Sequence, residues 1–271
     1  MPVDMLALVT DLAGETAEVR ELVSRLDETG WRTPTPAAGW TIADQVTHLA
    51  FFDDAAVIAA TDPERFAREL GDVAAVPSPD DIAARYRGLT GVETLDWFVA
   101  SRQRLIEVFG SIDPATRLPW FGPPMSAASA VTARIMETWA HGQDIADALG
   151  VTRIPTSRLK HVAHIGVRAL PFSFMVHGQD VPTVPVTVEL TGTDGELWTW
   201  GLAAGADRVT GPALDFCLLV TQRRHREDTS LAASGAIADR WLDIAQAFAG
   251  PPGPGRRPGQ HSSTDLTSRF A

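Results

Sequence analysis

Three side chains in this sequence have the types and spacing to hold a metal ion: His48, Glu137 and His141. Glu137 and His141 lie in the run Met136-Glu137-Thr138-Trp139-Ala140-His141-Gly142-Gln143-Asp144. Four residues apart on a helix, they project from one face a turn apart, so a carboxylate and an imidazole can reach the same ion. Ala133, Met136, Ala140 and Ala148 share that face, which therefore points inward. An inward Glu must be satisfied by a metal, a hydrogen-bond partner or water. On spacing alone, a simple buried Glu–His pair competes with the metal reading. His48 lies beside the apolar side of a second helical run, where a lone His is usually a hydrogen-bonded core residue. Taken together, two imidazoles and one carboxylate leave coordination positions open for water or substrate, which is the pattern of a catalytic site. Zinc is the default divalent ion, and iron, nickel or manganese suit the same ligand types.

Two helices must position these residues. The central one is expected from about Ser126 to Leu149. The other opens at Gly39-Trp40-Thr41-Ile42-Ala43-Asp44 and runs to about Ala60. Thr41 is its N-cap, and Asp44, three residues on, completes a short-armed capping box. Asp44 also stands four residues before His48 and could orient its imidazole; capping is the competing role. A first amphipathic helix is expected over residues 3–29, closed by Gly30, followed by a Pro- and Gly-rich link to Gly39. Residues 61–78 read as irregular. Ser78-Pro79-Asp80-Asp81 starts a further helix whose apolar pattern reaches Phe109, with Gly91 bending or breaking it. Leu118 to Pro124 reads as a rigid loop. Four long helices with such links predict an antiparallel four-helix bundle, whose facing helices can build metal sites.

After Gly150 the texture changes. A helix from Ser157 to about Ala169 carries His161 and His164, but Arg158 and Lys160 beside them favour a solvated basic face. Val184 to Leu190 alternates, Thr193-Asp194-Gly195 turns, and Leu197 to Trp200 returns as the second strand of a hairpin. Arg208 to Thr210 reads as a third strand, followed by a helix through Val220 and a last helix over Ala236–Phe248. The fold class is therefore α+β: a helical bundle over 1–150, a small α+β domain over 156–250, and a disordered tail over 251–271.

Composition narrows the function. Of 271 residues, 45% are hydrophobic and 21% charged, ordinary for a globular protein. A net charge of −11 argues against nucleic acid or an anionic membrane as partner. No run of ~18 apolar residues is present to span a membrane, and no signal peptide is legible. A single cysteine, Cys217, sits in the apolar run Phe216-Cys217-Leu218-Leu219-Val220, reads as a small buried hydrophobe, and fits a reducing cytoplasm.

Gly39 to Leu49, together with Glu137-Thr138-Trp139-Ala140-His141-Gly142-Gln143-Asp144-Ile145, resembles the metal-binding domain of the mycothiol-dependent maleylpyruvate isomerases, within the DinB-like bundle superfamily. The resemblance places the family's metal ligands on His48, Glu137 and His141. Residues 156–250 resemble that family's smaller domain, which is related in shape to sterol-carrier domains. The runs from Arg158 to Arg168 and from Ala247 to Gly253 resemble an actinobacterial branch without assigned activity. What the resemblance implies is a metal-bound thiolate of mycothiol that adds reversibly to an activated double bond, permitting rotation before elimination. It also implies a substrate-binding arginine within Val220-Thr221-Gln222-Arg223-Arg224-His225-Arg226. That residue is Arg223, with Arg224 as a near alternative, because the family often has Gly where this chain has Gln222. A solvated basic turn is the competing reading. The expected partners are a small electrophilic substrate and a low-molecular-weight thiol, with a homodimer left open. Two other functions compete: a metal-hydroxide hydrolase or lyase on the same bundle, and a non-catalytic metal-containing binding protein. The last needs a fourth protein ligand, for which Asp144 is the near candidate.

Overall fold

The computed structural model describes residues 3–69, 78–201, 207–253 and 255–260. The chain forms two compact units, Met1–Val151 and Thr152–Ala271.

In the first unit, four long helices pack as a bundle: α1 (Met5–Val23), α3 (Ile42–Thr61), α6 (Gly91–Gly110) and α7 (Ala127–Leu149). Each begins on a side chain that satisfies a free backbone N–H of its first turn: Asp4, Thr41, Thr90 and Ser126. α7 ends on Gly150 in the left-handed region, and Val151 N–H donates back to Ala146 O at 2.9 Å.

Shorter elements depart from the sequence reading. The first helix stops at Val23, because Asp27 opens a separate α2 (Glu28–Trp31) by accepting from Gly30 N at 2.7 Å. The single pattern from 79 to 109 is two helices, α5 (Pro79–Tyr86) and α6. The break has a tertiary cause. Gly91 opens α6 directly against the Trp31 indole, and a Cβ there would lie 2.1 Å from Trp31 Cδ1. The stretch expected as irregular contains α4 (Pro63–Glu69), while 70–77 lie outside the described residues. The loop at 118–124 is clasped by a short antiparallel pair, β1 (Arg117–Leu118) and β2 (Met125–Ser126).

The bundle core has two apolar halves. One gathers Leu8, Leu12, Leu105, Phe109, Val131 and Ile135. The other gathers Val19, Val23, Ile42, Val46, Phe98 and Ile145. Buried polar residues interrupt the apolar pattern of each helix: Glu15 and Thr16 on α1, Asp53 on α3, Arg102 on α6, Arg134 and Thr138 on α7. His48 lies on α3 among Val46, Leu49 and Ala50 of the second half, and Glu137 and His141 lie on α7 between Ile135 and Ile145.

The second unit contains α8 (Leu159–Arg168), α9 (Leu170–Val176), β3 (Val186–Thr191), β4 (Leu197–Trp200), β5 (Asp207–Pro212), α10 (Ala213–Val220), β6 (Ala232–Ser234) and α11 (Ala236–Ile244). The sheet order is β4-β3-β5-β6. β3 and β4 form the expected hairpin, with Val188 opposite Trp200, and β5 runs parallel to β3, with Val209 opposite Val188. α10 packs on α8, and α11 packs on β5. Phe216, Val188, Leu190, Val209 and Trp241 are fully buried. The last helix ends at Ile244 rather than Phe248, because Ala245 turns to extended backbone (φ −60°, ψ 130°). Of the tail expected to be disordered, 261–271 lie outside the described residues; Gly259 N–H donates to Asp228 Oδ1 at 2.9 Å. No helix among the described residues is long and apolar enough to cross a membrane.

Candidate metal centre

The three sequence-identified donors meet. One ligand atom from each of His48, Glu137 and His141 lies within 4.8 Å of the others. Glu137 Oε2 is 3.3 Å from His48 Nε2 and 3.1 Å from His141 Nε2. Tetrahedral donors at zinc-like bond lengths stand about 3.3 Å apart. Both histidines are buried, while the Glu137 side chain keeps 23% exposure and so marks the open side of the cluster.

The protons around His141 are set by a chain of hydrogen bonds. The Trp40 carbonyl can only accept, and it takes the Thr35 hydroxyl at 3.0 Å. Thr35 Oγ1 in turn accepts from Gln45 Nε2 at 2.9 Å, which leaves Gln45 Oε1 facing His141 Nδ1. Nδ1 must therefore carry the proton, and in the neutral ring Nε2 is a bare lone pair. That lone pair points at a carboxylate oxygen. Two acceptors set against each other repel unless a cation lies between them or the ring is protonated.

Burial governs the charges. Desolvation, then proximity to His141, lowers the His48 pKa from 6.5 to about 4, against the opposing pull of Glu137. Burial works to raise the Glu137 pKa, but in the metal-free case, where a protonated His141 ring can donate from Nε2, the hydrogen bonds from His141 and His48 outweigh it and hold the carboxyl well below its ordinary value. The metal-free cluster thus carries a carboxylate beside a neutral His48.

Aromatic rings wall the cluster. Trp40 lies over His141 at 5.9 Å and 16°, and Phe52 packs on His48 at 4.7 Å. Phe52 continues into Phe121 and Trp120, which cover the buried Phe66.

Behind the cluster lies a buried ion network. Asp53 receives Arg102 Nε at 2.7 Å and Arg134 Nε at 2.9 Å. Arg102 also donates to Thr16 and Thr138, and Arg134 Nη2 donates to Leu49 O at 3.1 Å, one residue past His48.

Other expected roles fall differently. Asp44 does not orient His48: its described bonds go to Thr41 and to Arg87, so the capping role stands. Asp144 is buried on α7 but is not one of the clustered donors. His161 and His164 join no metal-ligand group among the described residues; His164 Nδ1 accepts from Trp200 Nε1 at 3.3 Å. Cys217 is buried, and burial pushes its thiol pKa well up. Arg223 belongs to the second compact unit, where its Nη1 donates to Thr221 O at 2.7 Å. It follows Gln222, whose φ of 59° is the left-handed conformation that favours glycine. Arg223 N–H donates to Leu218 O and Gln222 N–H to Leu219 O, the paired bonds that close a helix on such a residue.

Comparison with known proteins places the chain. The family model described as mycothiol maleylpyruvate isomerase N-terminal domain matches residues 12–146. Two chains of Mycobacterium tuberculosis are similar nearly end to end. Uncharacterized protein Rv0036c of strain ATCC 25618 / H37Rv and uncharacterized protein MT0041 of strain CDC 1551 / Oshkosh are each 49% identical over 251 residues, covering 92% of this chain and 97% of theirs. The chain belongs to the mycothiol maleylpyruvate isomerase family. Its fold is that of the crystal structures of the mycothiol-dependent maleylpyruvate isomerase and of a His-to-Ala mutant of it. Each has a TM-score of 0.61 and 15% identity, covering 93% of this chain and 97% of that one. A second family model, described as wyosine base formation, matches residues 182–234, which span β3 to β6 and include none of the clustered donors.

Proposed function

We propose that this family member is a metal-dependent enzyme that uses a low-molecular-weight thiol, mycothiol or a relative, for isomerisation or S-transfer on a small electrophilic substrate. The observation that carries the reading is the lone pair of His141 Nε2 aimed at Glu137 Oε2, with Nδ1 committed to Gln45. Only a cation makes that arrangement favourable with neutral imidazoles, and two His with one carboxylate suit a divalent ion, zinc by default.

His48 Nε2, the Glu137 carboxylate and His141 Nε2 would hold the ion. A bound ion would supply Lewis acidity that lowers the pKa of a coordinated thiol into the neutral range. The chain's own residues supply the rest. Gln45 fixes the His141 tautomer and ring orientation. Arg134 pins the backbone turn after His48 through Leu49 O. Trp40 and Phe52 exclude water from the imidazole faces, which strengthens electrostatic interactions at the cluster. Three protein donors leave room for thiol or substrate on the side where Glu137 is exposed. Arg223 is the proposed carboxylate-binding residue; its planar guanidinium suits bidentate recognition. A cytoplasmic location, where such thiols are kept reduced, fits the single buried cysteine.

The test is a calorimetric titration of zinc-loaded protein with mycothiol, followed by assays on unsaturated acids and on electrophiles. Saturable thiol binding and thiol-dependent turnover, reduced in Arg223→Lys, are expected. Turnover indifferent to thiol would replace this reading with metal-hydroxide chemistry.

A further inference from the structure

The Trp40 indole lies against both imidazoles of the cluster. It is 5.9 Å from the His141 ring and nearly parallel to it, and 5.5 Å from the His48 ring at a tilt of 56°. The Trp40 backbone is fixed by its own turn: its N–H donates to Ala37 O at 3.0 Å, and its carbonyl accepts from Thr35 N–H at 2.8 Å. Neither bond sets the side-chain rotamer. The indole carries a single polar atom, Nε1, which donates to Asp80 Oδ1 at 2.7 Å, 40 residues away in sequence.

Asp80 stands in the first turn of α5, and that helix is itself held firmly. The neighbouring acid, Asp81, is committed to the capping box: its Oδ2 accepts from Ser78 N–H at 3.1 Å, and its N–H donates to Ser78 Oγ at 3.1 Å. Ile82 and Ala83 are buried, and α5 packs on α3. At the far end of the helix, Arg87 Nη2 donates to Gly39 O at 2.8 Å and Arg87 Nε to Asp44 Oδ1 at 3.1 Å. The segment therefore grips the Gly39–Trp40 turn at two points, the backbone through Arg87 and the ring through Asp80. Of the acids in the first turn of α5, Asp81 closes the cap and Asp80 serves the indole.

We propose that Asp80 is a positioning residue of the metal centre: through the Trp40 indole it holds in place the wall that shields the His48 and His141 rings, and so slows exchange of the ion with solvent. The inference rests on the metal reading of the cluster. Water can replace the Asp80 oxygen as acceptor, but water does not fix the ring, and rotamers that leave the imidazoles then become accessible. Uncovered imidazole faces admit water and competing ligands, so the ion leaves faster although its donors are unchanged.

The test is the rate at which zinc-loaded, full-length protein releases its ion to excess chelator, read by the absorbance of a zinc-responsive dye in stopped flow. Asp80 is exposed, so its variants should fold as wild type does. Asp80→Ala should release zinc about five-fold faster or more, and Trp40→Phe, which keeps a ring but no N–H, by a similar factor. Asp80 also favours the positive N-terminus of α5, a contribution that survives in the Trp40→Phe background. Asp80→Ala in that background should therefore add little further acceleration. Asp80→Asn retains an acceptor oxygen and should stay near wild type. Effects of Asp80→Ala and Trp40→Phe that simply multiply, or Asp80→Asn as fast as Asp80→Ala, would overturn the proposal. Zinc held by wild type and released no faster by Asp80→Ala would overturn this inference alone; wild type that takes up no zinc would overturn the metal reading with it.

Discussion

Replacing Asp53 with Asn should destabilise the helical unit more than any other single isosteric change. Asp53 is fully buried and is the shared acceptor of Arg102 (2.7 and 3.2 Å) and Arg134 (2.9 Å). Asn keeps the volume and removes the charge, leaving two buried guanidiniums. Burial already lowers the Arg102 pKa, and Asp53 is the largest influence opposing it, with Glu15 a smaller one. Breaking a buried ion pair by removing one partner costs about 3–5 kcal/mol, because the surviving charge stays desolvated. At roughly 2–4 °C per kcal/mol for a unit of this size, the midpoint should fall by about 10 °C. Thermal unfolding of metal-free protein, followed by far-UV circular dichroism, measures that shift; in urea unfolding the midpoint concentration should fall with little change in m. Arg102→Met in the Asp53→Asn background removes one of the stranded charges. The double variant should therefore be more stable than the two single losses summed, by about 1 kcal/mol or more. An Asp53→Asn protein within about 1 kcal/mol of wild type would refute the reasoning.

Three further outcomes are expected. Gln45→Leu should weaken metal binding about 10- to 100-fold in a chelator competition at unchanged helicity, because His141 loses the partner that fixes its tautomer; Gln45→Glu, which retains an acceptor, should recover most of it. In metal-free protein, His48 has a folded pKa of about 4 against 6.5 unfolded, so folding favours its neutral form. Its contribution is complete above pH 6.5 and is lost as pH falls toward 4, about 3 kcal/mol in all at ~1.4 kcal/mol per pKa unit. Glu137, also lowered, adds a loss in the same direction only below its unfolded value of 4.5. A urea midpoint that stays flat from pH 7 to 5 would contradict the His48 assignment. Gly91→Ala should cost about 1–3 kcal/mol and alter tryptophan fluorescence, since the new Cβ must displace the buried Trp31 indole; an unperturbed variant would show that the contact is slack.

What the sequence revealed and what it hid have physical causes. Glu137 and His141 were legible as a pair because a one-turn spacing on one helix is local, and the capping box at Thr41 and Asp44 for the same reason; His48 stands on a different helix and joined them through its ligand type and the family resemblance of Gly39 to Leu49. The Gly91 break was half legible. Glycine signalled a weakness, but the Trp31 ring that places it sits 60 residues away in sequence. α9 and β6 are short and carry little periodicity, so they left no pattern. Gln45 was passed over, although a Gln on the apolar side of a helix, three residues before a candidate ligand, needs a buried partner. The Asp53, Arg102 and Arg134 network was missed for a similar reason. Its signal was charged residues at positions flanked by core residues such as Phe98 and Leu105. Reading those positions as buried polar interruptions of the apolar stripes would have located the ion network from the helix patterns themselves.

The central claim is that His48, Glu137 and His141 hold a divalent ion. Its most direct test is elemental analysis of zinc-reconstituted, dialysed wild type beside His48→Ala and His141→Ala. The account predicts about one equivalent of metal in wild type and loss of it in both variants, at unchanged helicity. Wild type without metal, or variants that keep a full equivalent, would contradict it.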